Sequence, residues 1–90
     1  LVGRLGGEEF SVLLRDADQV GAEFVAERIR HTIQNTKVDC GSGLVLSVTA
    51  SIGGVTVPRR TQPSGDEVLG IADAALYDSK ENGRNRVTWR

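Results

Sequence analysis

Ninety residues suffice for one domain with a modest core. A net charge of −1 excludes a broad basic footprint for nucleic acid, and one cysteine, Cys40, excludes a disulfide scaffold and fits a reducing compartment. No apolar run approaches the ~18–20 residues of a membrane span, and with 4% aromatic residues the core must be mostly aliphatic. The sequence shows no signal peptide, lacks an initiating Met and opens on strand-like residues, so a portion of a longer protein is expected.

Leu1 to Leu5 reads as a short strand. Gly6-Gly7 then offers a hairpin turn, because a glycine pair tolerates positive φ at both central positions. From Glu8 a second strand places Phe10, Val12 and Leu14 on one face and Ser11 and Leu13 on the other. Apolar Leu13 predicts that both faces are at least partly covered. Asp16-Ala-Asp18 is a helix start, with Ala22, Val25, Ile29 and Ile33 forming one apolar face of the helix that follows. Lys37 to Gly43 reads as loop. Leu44 to Val57 reads as one long strand, with Leu46, Val48, Ala50 and Ile52 alternating against polar residues and Gly53-Gly54 bending or bulging it. A loop, PRRTQPSG, precedes a second helix from Asp66, with Val68, Leu69, Ala72, Ala75, Leu76 and Ser79 on its buried side and Gly83 as its stop. A final short strand carries Val87 and Trp89 on one face. The expected order is β-β-α-β-α-β.

Two stretches could carry chemistry. In GGEEF, glycines at a hairpin tip let backbone approach a ligand, and the Glu8 carboxylate is the donor type that Mg²⁺ prefers, often with a nucleotide phosphate. A solvated hairpin tip with two exposed acids is the plainer reading. In SKENGRNR, Lys80 and Arg84 lie four apart and could clamp phosphates, but cations at a helix C-terminus are also explained by the macrodipole alone. His31 has no acid or cysteine at metal-ligand spacing and reads as an ordinary surface or half-buried residue. Asp16 and Asp18 read as caps, and Arg59-Arg60 as a solvated loop pair.

In combination, RLGGEEF, AERIR, VTASIGG and ADAALYDSKENGRNRV resemble the second half of a GGDEF domain, from about Arg4 to Val87. This is the diguanylate cyclase family of bacterial second-messenger signalling, which condenses two GTP molecules into cyclic di-GMP. The resemblance implies an α+β, ferredoxin-like fold akin to the palm of nucleotide cyclases: an antiparallel sheet with helices, whose first strand and first helices precede these residues. Residues 1–90 are then a partial GGDEF domain. The implied chemistry is attack of one GTP's 3′-hydroxyl on the other's α-phosphate, with pyrophosphate leaving and two Mg²⁺ ions per site, or Mn²⁺, stabilising the transition state. Each domain holds one GTP, so a second GGDEF domain is the implied catalytic partner.

Residue by residue, the resemblance makes Glu8 a metal ligand and the acid most directly tied to catalysis. Glu9 is the neighbouring signature acid, with a metal- or substrate-contact role in catalysis. Gly6 and Gly7 make room for the nucleotide, and Lys80 and Arg84 are phosphate-binding positions. Arg28 matches an arginine that joins a product-inhibition site, whose Arg-x-x-Asp motif would end just ahead of Leu1. The family's first-strand metal aspartate and its guanine-recognising Asn and Asp are not among these 90 residues, so the chain alone is expected to be inactive. Without the first strand, unpaired edges in the middle of the sheet are expected to close within the chain or to recruit a second copy. The alternative function is a non-catalytic module that binds GTP or cyclic di-GMP to regulate a partner domain, although the signature is not degenerate. A cytoplasmic domain is implied, with a membrane anchor elsewhere in the parent left open.

Overall fold

A computed structural model describes residues 2–6 and 9–90. Leu1, Gly7 and Glu8 lie outside the described residues. The chain order is β1 (Val2–Gly6), β2 (Glu9–Val12), α1 (Gln19–Gln34), β3 (Lys37–Asp39), β4 (Val45–Ser47), β5 (Ile52–Gly54), α2 (Gly65–Glu81) and β6 (Val87–Trp89). The chain is therefore α+β, but with eight elements where six were expected.

The two helices start for local reasons. The Asp18 carboxylate accepts from the Gly21 N–H at 2.7 Å and caps α1. Ser64 caps α2, its hydroxyl accepting from the Glu67 N–H at 3.1 Å, and Asp66 and Glu67 set negative charge against the positive helix end. The helix thus begins one residue before the expected Asp66.

The strands form three separate two-stranded sheets instead of one antiparallel sheet. β1 and β2 pair antiparallel as a hairpin, with Val2 opposite Val12 and Gly6 opposite Glu9, and the register shifts between Arg4 and Gly6. The stretch expected to be loop contains β3, which pairs antiparallel with β4 across a turn. Gly41 and Gly43 adopt φ of 84° and 78°, and Ser42 sits at 53°, so this turn reverses the chain tightly. The expected long strand is divided, because its first part pairs with β3 while its last part pairs with β6. β5 and β6 run parallel, Ile52 opposite Val87 and Gly54 opposite Trp89. Parallel pairing needs a crossover, and α2 supplies it. The register through Gly53-Gly54 is regular, so these glycines do not bulge the strand as expected.

They serve packing instead. A Cβ on Gly53 would lie 2.1 Å from the Leu76 backbone N and 2.4 Å from the Ala72 carbonyl O. A Cβ on Gly54 would lie 2.1 Å from the Trp89 ring. Bare backbone there lets α2 seat on β5, its most extensive packing partner. Ser79 is fully buried at this seam. Its hydroxyl reaches the Ile52 carbonyl at 2.8 Å and the Thr88 hydroxyl at 2.7 Å, tying helix to both strands. Trp89 Nε1 donates to Thr56 Oγ1 at 2.8 Å.

α1 packs on β6 and β5 through small residues, with Ala22 and Ala26 buried. The larger residues of the expected apolar face are less covered: Ile29 is exposed, and Val25 and Ile33 are half-buried. The hairpin differs most from expectation. Phe10 is 65% and Val2 69% exposed, so its faces are not covered by this chain. Nor does the hairpin join the Val45–Gly54 strands, and the gap expected in the sheet is not closed by pairing among the described residues. The envelope is elongated, 53 × 24 × 22 Å.

Candidate functional site

The Gly-Glu tip and the end of α2 are the two places where the sequence put chemistry. At the tip, Gly6 ends β1 directly opposite Glu9, which opens β2 and is exposed to solvent. Gly7 and Glu8, between them, lie outside the described residues. Among the described residues, no group of three or more His, Cys, Asp or Glu gathers as a metal site.

At the other place, Lys80 stands in the last turn of α2 and Arg84 follows two residues beyond the Asn82 cap; both are exposed. The helix ends in a Schellman arrangement. Gly83 takes φ of 118°, and the Arg84 N–H donates to the Ser79 carbonyl at 2.9 Å. Gly83 thus stops the helix as its position predicts. Arg84 and Asn85 continue in the left-handed region, at φ of 62° and 47°. Such backbone is uncommon for residues with a Cβ, and it turns the chain from α2 into β6.

Several side chains brace this turn. The Arg84 carbonyl accepts from Arg86 Nε at 3.2 Å. The Asn85 N–H donates to Ser51 Oγ at 3.2 Å, and Asn85 Oδ1 accepts from Arg30 Nη1 at 2.8 Å. Arg30 also donates to Gln34 Oε1 at 2.9 Å and pairs with Glu27. The Arg30 hydrogen bond holds the Glu27 carboxyl below its usual range, and Glu27 in turn raises the Arg30 guanidinium. Sequence reasoning did not single out Arg30 or Asn85. Their contact spans 55 residues, and no local pattern announces it.

The remaining predicted residues are placed as follows. Arg28 is exposed on α1, beside a shallow groove that it lines with Phe24, Val25, Ile29, Thr32 and Ile33. His31 is exposed, its ring beside the Asn35 side chain at 3.1 Å. Cys40 is exposed and free. Asp16 does not cap a helix; it takes φ of 55° and pairs at 2.9 Å with Arg59. Lys80 and Arg84 stand at the end of α2, while Glu9 opens β2 and Arg28 lies on α1. No helix among the described residues is long and apolar enough to cross a membrane.

Residues 1–86 match the family described as diguanylate cyclase, GGDEF domain. The chain is 44% identical over 84 residues to the "Uncharacterized protein YhcK" of Bacillus subtilis, covering 93% of this chain and 23% of that protein. It is 43% identical over 91 residues to the probable diguanylate cyclase DgcT of Escherichia coli, covering 100% of this chain and 20% of the relative. It is 44% identical over 85 residues to diguanylate cyclase A of Treponema denticola, covering 94% and 22%. The chain thus spans about a fifth to a quarter of the length of these relatives.

Proposed function

Because the chain belongs to the GGDEF family of diguanylate cyclases, we propose that it supplies the metal- and phosphate-gripping half of a domain that joins two GTP molecules into cyclic di-GMP and pyrophosphate. One observation supports this above the others. The family match runs from residue 1 to residue 86 and includes an intact GGEEF tip together with Lys80 and Arg84 at the end of α2.

Glu8 holds the metal ion, with Glu9 as its neighbouring acid, and Gly6 and Gly7 present bare backbone against the nucleotide. Mg²⁺ at that tip supplies charge neutralisation at the α-phosphate and lowers the pKa of the attacking hydroxyl. Lys80 and Arg84 bind the phosphate chain, Lys as a point charge and Arg as a planar fork. Their charge offsets what accumulates on the departing pyrophosphate as the 3′-hydroxyl of the second GTP attacks in line. That second GTP is held by a second GGDEF domain, so catalysis requires two copies face to face. Arg28 binds product as part of an inhibitory site. The domain's sheet is of the ferredoxin-like, palm type, and residues 1–90 by themselves turn over no GTP. Open strand edges make self-association of the isolated chain the expected consequence.

The test is product formation by the whole protein that carries this domain. Incubated with GTP and Mg²⁺, it should form cyclic di-GMP, and Glu8→Gln should reduce the rate to background while the protein stays folded. GTP binding without any product would replace this reading with that of a regulatory, non-catalytic nucleotide-binding module.

A further inference from the structure

The turn after α2 holds three consecutive residues with positive φ: Gly83 at 118°, Arg84 at 62° and Asn85 at 47°. Glycine adopts this region freely, whereas Arg84 and Asn85 adopt it at a cost that surrounding contacts must offset. The contacts that fix Arg84 are local to the turn, and the Arg86 carbonyl beyond it accepts from the Ile52 N–H at 2.9 Å. Those that fix Asn85 come from far along the chain: Ser51 ahead of β5, and Arg30 on α1.

Arg30 is suited to the task. Its side chain is only 14% exposed, although it ends in a guanidinium. It spends donors on Glu27, Gln34 and the Asn85 amide oxygen at once, so its own orientation is fixed before it reaches the turn. Asn85 is covalently next to Arg84, so holding Asn85 in the left-handed region fixes the backbone from which the Arg84 side chain departs. A planar fork binds phosphate well only when its base is held in register with the ligand.

We propose that Arg30 is a positioning residue for the nucleotide's phosphates: through Asn85 it locks the left-handed turn that carries Arg84. This rests on the phosphate role assigned to Arg84 above. Arg30 touches no nucleotide; its effect passes entirely through its neighbour's neighbour. Lys80 sits inside the regular helix and does not depend on this lock.

The experiment is a double-mutant cycle in the whole protein, measuring the dissociation constant of guanosine 5′-[α,β-methylene]triphosphate with Mg²⁺, beside a thermal melt of each variant. Arg84→Ala and Arg30→Gln should each weaken binding by about tenfold, the scale of one lost charge-assisted hydrogen bond. In the Arg84→Ala background, Arg30→Gln should change binding by less than about twofold, because there is no Arg84 side chain left to position. Asn85→Gly tolerates the left-handed backbone but removes the Oδ1 acceptor, and it should reproduce the Arg30→Gln result in both backgrounds even if Arg30→Gln folds poorly. Equal losses with and without Arg84, or no loss from either Arg30→Gln or Asn85→Gly, would overturn the positioning role. An Arg84→Ala variant that binds as tightly as the unaltered protein would instead overturn the phosphate role of Arg84, and the positioning role with it.

Discussion

The chain contains two glycine pairs beside apolar strand residues, and the elements that carry them differ in how they are covered. Gly53-Gly54 sits in β5 with helix backbone on one residue and the Trp89 ring on the other, closer than any Cβ would allow. Gly6 ends β1 in a hairpin whose flanking Val2 and Phe10 stand mostly in solvent. At Gly53-Gly54 the missing side chains admit protein, whereas the described side chains of the hairpin that carries Gly6 stand mostly in solvent. A glycine pair therefore marks a close approach without saying what approaches, and the neighbouring elements decide. The β5–α2–β6 unit carries the tertiary packing of this chain, while the hairpin carries the family's signature and little of that packing.

The largest effect that would sharpen this contrast is at Gly53. Gly53→Ala forces a Cβ against backbone atoms of α2 that cannot turn aside, and it should destabilise the chain by about 3 kcal/mol, seen as loss of the cooperative melt. A near-wild-type melt would mean that α2 does not seat on β5 as described. Next is Ser79→Ala, which strips a fully buried hydroxyl from the Ile52 carbonyl and leaves Thr88 without that partner. It should cost about 1–3 kcal/mol by denaturant titration.

The hairpin supplies the opposite arm. Phe10→Ser should shift the melt of this chain by no more than about 0.5 kcal/mol, because its ring is 65% exposed. A large loss would show that the hairpin is covered after all. The smallest effect concerns Glu27. Its carboxyl is held low by Arg30, so its contribution is fully present above the ordinary glutamate value of 4.5 and fades as pH falls through its lower folded value. The pair is at the surface, so the loss should be slight and weaker in high salt, and Glu27→Gln should remove it.

Much of this was legible in the sequence. Asp18 and Gly83 marked helix ends through local chemistry, and Ala75 and Ser79 lay on the face that the periodicity of α2 assigned to the interior. β3 was missed because three residues are too few to show a period, and the Gly41-Ser42-Gly43 run beside it reads as loop. The single long strand was an error of partnership: alternation from Leu44 onward gives a strand pattern but not which strand accepts each part. The parallel pairing of β5 with β6 joins Ile52 to Val87, and only the folded chain shows it. At the site, the composition of the GGEEF tip and the Lys80–Arg84 spacing were visible, whereas the left-handed backbone at Arg84 and Asn85 was not, since neither is glycine.

The central claim is that the tip and the end of α2 grip one and the same metal-bound nucleotide. Hydrogen–deuterium exchange of the whole protein, with and without guanosine 5′-[α,β-methylene]triphosphate and Mg²⁺, tests it most directly. The account predicts slowed exchange in both the segment around Gly6–Phe10 and the segment around Lys80–Arg86. Protection of one segment with the other unchanged, at saturating nucleotide, would contradict it.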